Sequence, residues 1–153
     1  MPASTQVATT AGSSLAISAA LPTAITPSAY AALTYTTIKE ATDLGAIGRN
    51  YNVVNHSPVD DRGVVKIKGS FDDGTMTVQL GWAPGDPGQA LVETALDDDA
   101  FYSFCLTHQN GTKKYFQAQV TSAPVNFGGV DTVTGTTVNL AIKSGTIKTV
   151  NPA

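Results

Sequence analysis

The residues that could support covalent or acid–base chemistry are one cysteine and two histidines in a chain of 153 residues. Cys105 and His108 lie three positions apart in a segment with strand-like alternation. Their side chains are therefore predicted on opposite faces, where they cannot form a nucleophile–base pair. His56 has Ser57 and Asp60 nearby in sequence only, and we interpret it as a loop histidine. These residues do not predict an enzyme.

Acidic residues cluster in three places, and clustered carboxylates could suggest a calcium site. None of the clusters has the alternating D-x-D-x-D-G spacing that wraps one ion, and the DDG that begins at Asp72 is more typical of a turn before a strand. The segments DLGAIGR and FGGVD lack both the strand-to-helix context and the lysine of a phosphate-binding loop. We therefore expect neither a metal nor a cofactor. The acidic clusters are residues 60–61, 72–73 and 97–99.

The composition narrows the class of protein further. The length is typical of a single domain with its own core. The net charge of −3 and the pI near 5.1 do not provide the basic surface that tight nucleic-acid binding requires. No apolar run approaches the roughly 18 residues of a membrane-spanning helix, and the N-terminus lacks a secretory signal. With a single cysteine as well, we expect an intracellular product without membrane association.

One segment predicts a helix, GDPGQALVETALDDD at residues 85–99. Asp86 can act as N-cap, Pro87 suits the first helical position, and Gln89 completes a capping-box pattern. The apolar stripe is about three turns long, which is enough to lie across a sheet but not to build a bundle. The helix is therefore interpreted as a cover for a sheet, with the terminal aspartates exposed to solvent.

The rest of the chain is dominated by the two-residue period of β-strands. In TMTVQLGW, large apolar residues alternate with Thr, Gln and Gly, as on a half-buried strand. Three other segments are predicted as strands for similar reasons. They are LTYTTIKE, VVKIKG and TVTGTTVNLAIK.

The pair Asn110-Gly111 predicts a hairpin with a two-residue type I′ turn, in which both turn residues have positive φ. That turn would place Leu106 opposite Tyr115 and make both faces of the hairpin partly apolar. We therefore expect a helix or another subunit to cover the second face. The candidate intersubunit residues are Tyr102, Phe104, Leu106 and Tyr115.

The two ends of the chain differ from its middle. No charged side chain precedes Lys39, and residues 1–28 are rich in Ala, Ser, Thr and Pro. We interpret this segment as an N-terminal arm, which is either disordered or ordered on a partner, and residues 144–153 as a C-terminal arm. The domain itself is expected at residues 29–143.

The order of these segments resembles a known family. TDLGAIGR, KGSFDDGTMTVQL, the GDPGQAL helix start and the YF on the return strand of the hairpin follow one another as in the tail tube (major tail) proteins of long-tailed, non-contractile, lambda-type bacteriophages. The resemblance runs from about Ala29 to Lys143. It implies a mainly β protein, a β-sandwich or barrel-like tail tube fold with one short flanking α-helix.

The resemblance also implies a function. Subunits of this family form hexameric rings that stack into the tail tube, the conduit for DNA ejection, with arms and a long loop reaching neighbouring rings. Residues 44–69 are either that loop or an ordinary surface loop. The implied partners are other copies of the chain, the tape-measure protein, and the tail initiator and terminator proteins. The implied location is the virion tail, after assembly in the host cytoplasm.

An acidic subunit suits a DNA conduit, because carboxylates keep the passing duplex from binding to the wall. The candidate lumen-lining residues are Asp60, Asp61, Asp72 and Asp73. The alternative is a monomeric or trimeric β-sandwich module that binds or decorates a virion. Such a module would group aromatic residues on one exposed face.

Overall fold

The computed structural model describes residues 7–151, in which eleven strands and two helices follow one another. The prediction of a mainly β protein is confirmed. The short helix α1 was not predicted. The elements are β1 (Ser14–Ser18), α1 (Pro27–Ala31), β2 (Thr36–Ile38), β3 (Ala41–Asp43), β4 (Asn50–His56), β5 (Val65–Asp72), β6 (Thr75–Gly81), α2 (Pro87–Leu96), β7 (Tyr102–Thr107), β8 (Lys113–Ser122), β9 (Val125–Asn126), β10 (Gly135–Ile142) and β11 (Lys148–Val150).

Nine strands form one curled sheet, in the order β2-β1-β7-β8-β10-β6-β3. The short strands β9 and β11 add to β10 and β8. The two strands at the ends of this order, β2 and β3, are separated in sequence only by Lys39 and Glu40. Glu40 has φ +66°, and among the described residues it is the only non-glycine residue with a positive φ. This corner carries the chain from one end of the sheet to the other and so gives the sheet its barrel-like form.

The interior of the barrel holds the main core, in which Phe104 and Phe116 stack 5.3 Å apart. Strand β6 places Met76, Val78 and Leu80 inward and its Thr and Gln side chains outward, as its alternation predicts. The same alternation buries every second residue of β10.

Helix α2 lies over this core and begins as predicted, with the Asp86 side chain accepting a hydrogen bond from the backbone N–H of Gln89. Asp86 also accepts from the N–H of Lys39, and the Gln89 amide donates to the carbonyls of Lys39 and Gly81. The amide oxygen of Gln89 accepts from the N–H of Ala83, and the N–H of Asp86 donates to the carbonyl of Ala83, so the reciprocal bond of a capping box is not made. The buried N-terminus of α2 is instead hydrogen-bonded to the corner between β2 and β3 and so fixes the position of that corner.

Both segments predicted as arms contribute strands to the sheet. Strand β1 pairs with β2 and β7, and its Leu15 and Ile17 are fully buried. Strand β11 pairs with β8. Residues 14–18 of the predicted N-terminal arm thus form part of the chain's own sheet. Residues 1–6 and 152–153 of the predicted arms lie outside the described residues.

The turn between β7 and β8 corrects the predicted register by one residue. The N–H of His108 donates to the carbonyl of Thr112, which leaves a three-residue loop, and of its residues only Gly111 has a positive φ, +94°. Leu106 therefore pairs with Lys114 rather than with Tyr115, and Phe104 pairs with Phe116. Both faces of this strand pair are apolar, as predicted.

Candidate assembly surface

Strands β4 and β5 form a separate two-stranded hairpin. Every residue of β4 is exposed, and so is every residue of β5 except Gly69. Val54 pairs with Ile67, and His56 with Val65, so these side chains share one face. Five aliphatic side chains on and beside the hairpin are exposed although they could pack in a core. They are Val53, Val54, Val64, Val65 and Ile67.

The opposite face of the hairpin combines aromatic rings with cations. The rings of Tyr51 and Phe71 lie 5.7 Å apart. The Arg49 guanidinium lies 4.0 Å from the centre of the Phe71 ring, and the Lys68 ammonium 4.9 Å from the centre of the Tyr51 ring. The exposed Tyr51 and Phe71 thus belong to the hairpin and do not form an aromatic binding face on the barrel.

The base of the hairpin is fixed to the barrel by Asp73, which is 2% exposed. Its carboxylate accepts hydrogen bonds from Arg49 Nε at 3.1 Å and from the N–H of Gly145 at 2.7 Å. The N–H of Asp73 donates to Ser144 Oγ. Hydrogen bonds to Tyr51 and Asp73 raise the pKa of Arg49, which therefore stays charged. These bonds determine how the hairpin leaves the barrel.

This placement removes Asp73 from the candidate lumen residues, because a buried, fully bonded carboxylate cannot face passing DNA. Asp60 and Asp61 lie in the turn between β4 and β5, and Asp72 lies at the end of β5. All three are exposed. Nothing in the pattern DDG distinguished Asp72 from Asp73, since the difference arises from the loop at residues 144–145.

The four candidate intersubunit residues lie inside the chain's own fold. Phe104 is 0% exposed, and Tyr102 and Tyr115 are buried. Leu106 is partly buried against the main core. Tyr115 stacks on Tyr30 of α1 at 5.4 Å, in a second cluster with Cys105. The cover of the second face predicted for this hairpin therefore includes α1, and the buried Tyr102, Phe104 and Tyr115 leave no surface for a neighbouring subunit.

The outer face of β6 and β10 is polar and carries no charge. Thr77 and Asn139 are hydrogen-bonded through their side chains at 2.9 Å, and the Asn139 amide donates to Ser122 Oγ. Such cross-strand bonds tie neighbouring strands together on a solvated face. The outward residues are Thr75, Thr77, Gln79, Thr137 and Asn139.

The residues considered for catalysis are dispersed. His56 ends β4 and is exposed, so it is a strand residue rather than the predicted loop histidine. Cys105 is buried, with its sulfur 3.7 Å from Thr107 Oγ1. Within residues 7–151, no three His, Cys, Asp or Glu side chains are grouped as a metal site requires. No helix in this part of the chain is long and apolar enough to cross a membrane.

The chain resembles known proteins in its fold rather than in its sequence. No protein-family model matches the chain, and no curated protein matches its sequence. Solved structures match its fold. A chain of the six-fold symmetrised cryo-EM baseplate of the anti-feeding prophage matches with a TM-score of 0.71 at 10% identity, over 96% of this chain and 97% of that chain.

Two further structures agree. A chain from the sheath/tube terminator of an extracellular contractile injection system matches with a TM-score of 0.63 at 10% identity, over 98% of this chain and 100% of that chain. The SPP1 tail tube protein matches with a TM-score of 0.59 at 14% identity, over 92% of this chain and 76% of that chain. The chain has a tail-tube-type fold. In this fold, both strands of the β4–β5 hairpin are exposed along almost their whole length.

Proposed function

We propose that this chain is a structural subunit that assembles into stacked hexameric rings and so forms the tube of a phage tail. The observation that carries the proposal is the β4–β5 hairpin, whose two faces are both exposed and partly apolar. A lone two-stranded hairpin is marginally stable in water, and exposed aliphatic groups on it favour association. The fold, shared with tube and terminator proteins over at least 92% of the chain, supports the same role.

In this proposal the hairpin is the long loop that reaches the neighbouring ring. Each subunit then contacts the next through different surfaces, an arrangement that closes around a ring and repeats openly along the tube axis. The tube conducts DNA during ejection, and its partners are the tape-measure protein and the tail initiator and terminator. Assembly takes place in the host cytoplasm, and the chain acts as a structural component rather than an enzyme.

The experiment that tests the proposal is negative-stain electron microscopy of the purified chain, first dilute and then concentrated. We expect rings or hollow tubes at high concentration. Ile67→Asp, on the hairpin, should remain folded by circular dichroism but form no tubes. Leu96→Asp at the end of α2 is the matched control, because it makes the same kind of change at an exposed position elsewhere. Isolated particles at every concentration, also with the tail initiator present, would instead favour the decoration module.

Two surfaces of the chain are candidates for the lining of the DNA conduit. Asp60, Asp61 and Asp72 repel DNA by charge, whereas the outer face of β6 and β10 simply lacks the cations that hold phosphates. Lysine at the wall should slow DNA ejection from assembled virions. If Asp60→Lys with Asp61→Lys leaves ejection normal while Thr75→Lys with Thr77→Lys slows it, the polar face lines the lumen and the acidic assignment is wrong.

A further inference from the structure

One end of the barrel is open and forms a cleft of about 400 Å³, which we call the barrel mouth. On β7 and β8, Leu106 and Lys114 pair with each other and lie two residues away from the stacked Phe104 and Phe116. Both side chains therefore continue the inward-facing rows of the main core. The floor of the mouth is apolar and is formed by Leu44, Ile47 and Leu106.

The rim of the mouth provides hydrogen-bond donors and positive charge. His108 and Lys114 line it, and among the described residues that line it none is Asp or Glu. Asp43 is close in sequence, but its carboxylate accepts a hydrogen bond from the N–H of Gly45 in its own turn. The Lys114 ammonium donates to Thr149 Oγ1 at 3.0 Å, which uses one of its three donors. The mouth therefore suits an apolar group that carries a carboxylate.

A loop at the other end of the barrel, residues 127–134, has that chemistry. The N–H of Thr132 donates to the carbonyl of Gly129, so Val130 and Asp131 are the central residues of a tight turn. Val130 is fully exposed, and Asp131 is exposed as well. We call these two residues the loop tip.

The loop is fixed to the barrel at its base. The N–H of Trp82 donates to the carbonyl of Thr134 at 2.8 Å, and the Phe127 ring meets the Trp82 ring edge-on at 5.4 Å. Phe127 and Val133 are nevertheless 61% and 82% exposed. Several exposed apolar side chains on one anchored loop indicate an interaction site.

The barrel mouth and the loop lie beyond opposite ends of β10. The last residue of β10, Ile142, pairs with Ala118 of β8, and β8 leads from there back to Lys114 at the mouth. The first residue, Gly135, pairs with Asn126, next to the loop. The eight residues of β10 therefore separate the two surfaces, by roughly 25 Å. A copy docked through one surface leaves the other free, so the contact repeats head to tail.

Two other exposed positions combine an apolar side chain with carboxylates. Val59 precedes residues 60–61 at the turn of the hairpin, and Leu96 precedes residues 97–99 at the end of α2. The hairpin leaves the barrel at the same end as the mouth, because Ile47 lies just before β4. A contact between two like ends closes as a pair and cannot extend a tube. Leu96 is only 38% exposed on the surface of a helix and does not project.

We propose that the loop tip of one copy inserts into the barrel mouth of a second copy, with Val130 on the apolar floor and the Asp131 carboxylate beside Lys114. Within residues 7–151 the one salt bridge joins Arg49 to Asp73, so Asp131 and Lys114 have no partner of opposite charge there. The inference rests on the proposed function and adds a contact between copies that uses neither the hairpin nor the ends of the chain.

Disulfide trapping in the full chain tests this contact directly. Cys105 is buried, so Val130→Cys and Thr112→Cys, which lies in the mouth, can be made in separate preparations that are then mixed, concentrated and oxidised. We expect a disulfide-linked dimer at least several-fold more abundant in the mixture than in either preparation alone. Val59→Cys, equally exposed at the turn of the hairpin, replaces Val130→Cys in the matched control and should yield little dimer.

A charge exchange gives a second readout. Asp131→Lys and Lys114→Glu should each raise the concentration needed for tube growth by at least about fivefold, because each brings like charges together. The double variant restores opposite charges and should recover most of this loss, which a purely structural effect of either change would not do. Asp97→Lys, the same charge change at an exposed carboxylate at the end of α2, is the control and should assemble as the wild type does.

The outcomes separate this contact from the proposed function. Tubes from the wild-type chain, without excess dimer and without recovery in the double variant, would overturn the docking site and leave the proposed function standing. More dimer with Val59→Cys than with Val130→Cys, or excess dimer only after deletion of residues 1–6, would mean that another segment occupies the mouth and would overturn the contact as well. Excess dimer without rings or tubes would support the contact and count against the proposed function. If neither dimer nor tubes form, both proposals fail.

Discussion

The barrel and the hairpin are built from the same kinds of residues, yet only the barrel forms a core. Alternating strands such as β6 and β10 bury one side chain in two against neighbours from distant parts of the chain. Strands β4 and β5 also contain Val, Ile, Tyr and Phe, but within residues 7–151 they pair only with each other. Apolar side chains thus stabilise the monomer where a second layer covers them. Where nothing covers them, they remain available for another copy.

Truncating one large apolar side chain in each region should give the largest contrast. Phe104→Ala removes a fully buried ring stacked on Phe116 and should lower the free energy of unfolding by about 3–5 kcal/mol. Ile67→Ala, at a position 51% exposed, should cost less than about 1 kcal/mol. Urea denaturation of both variants measures the difference, and equal losses would show that the hairpin belongs to the cooperative core.

The close approach of α2 to β2 is the next point at which the barrel can be disrupted. A Cβ on Gly88 would lie 2.3 Å from the carbonyl oxygen of Thr37 and 2.7 Å from Cα of Ile38. Gly88→Ala should therefore force α2 away from the corner and cost about 1–3 kcal/mol of stability. Gly85→Ala, where nothing lies within 4 Å, is the control and should leave the denaturation midpoint nearly unchanged.

The attachment of the hairpin to the barrel should depend on Asp73. Asp73→Ala leaves the N–H of Gly145 and the side chain of Arg49 without their acceptor, which should cost about 1.5–3 kcal/mol. Hydrogen exchange should accelerate in β4 and β5 more than in β6. Asp72→Ala, at the neighbouring exposed carboxylate, should change neither property much; a similar effect of both variants would contradict the role assigned to Asp73.

The smallest expected effect concerns the tyrosine cluster of the barrel. Burial raises the pKa of Tyr35 above its ordinary value of 10.0. The folded state therefore favours the neutral phenol, so this contribution to stability is complete below pH 10 and is lost as the pH rises further. Tyr35→Phe removes a hydrogen bond to the carbonyl of Tyr30 and should cost about 1 kcal/mol at pH 7. Its stability should then fall less steeply than that of the wild type between pH 10 and 12, as measured by urea denaturation.

Local sequence determined the features whose causes lie within a few residues. The N-cap at Asp86 and the outward Thr and Gln of β6 follow from side-chain chemistry and strand period alone. The turn at Asn110-Gly111 was located correctly, but its loop length was wrong by one residue, because glycine at a positive φ suits a three-residue loop as well as a two-residue one. That single residue changes which side chains face the core.

Only the tertiary structure determined which apolar and charged side chains are buried and which are exposed. Leu15 and Ile17 read as part of an arm because the segment contains few large apolar residues, yet they pair between β2 and β7 in the sheet. Asp72 and Asp73 are adjacent and chemically identical, but only Asp73 meets the loop at residues 144–145. The sequence by itself determined the strands with clear alternation, such as β6 and β10, the helix α2 and the position of the turn between β7 and β8. Burial, and with it the surface left for a partner, depends on contacts between residues far apart in the chain.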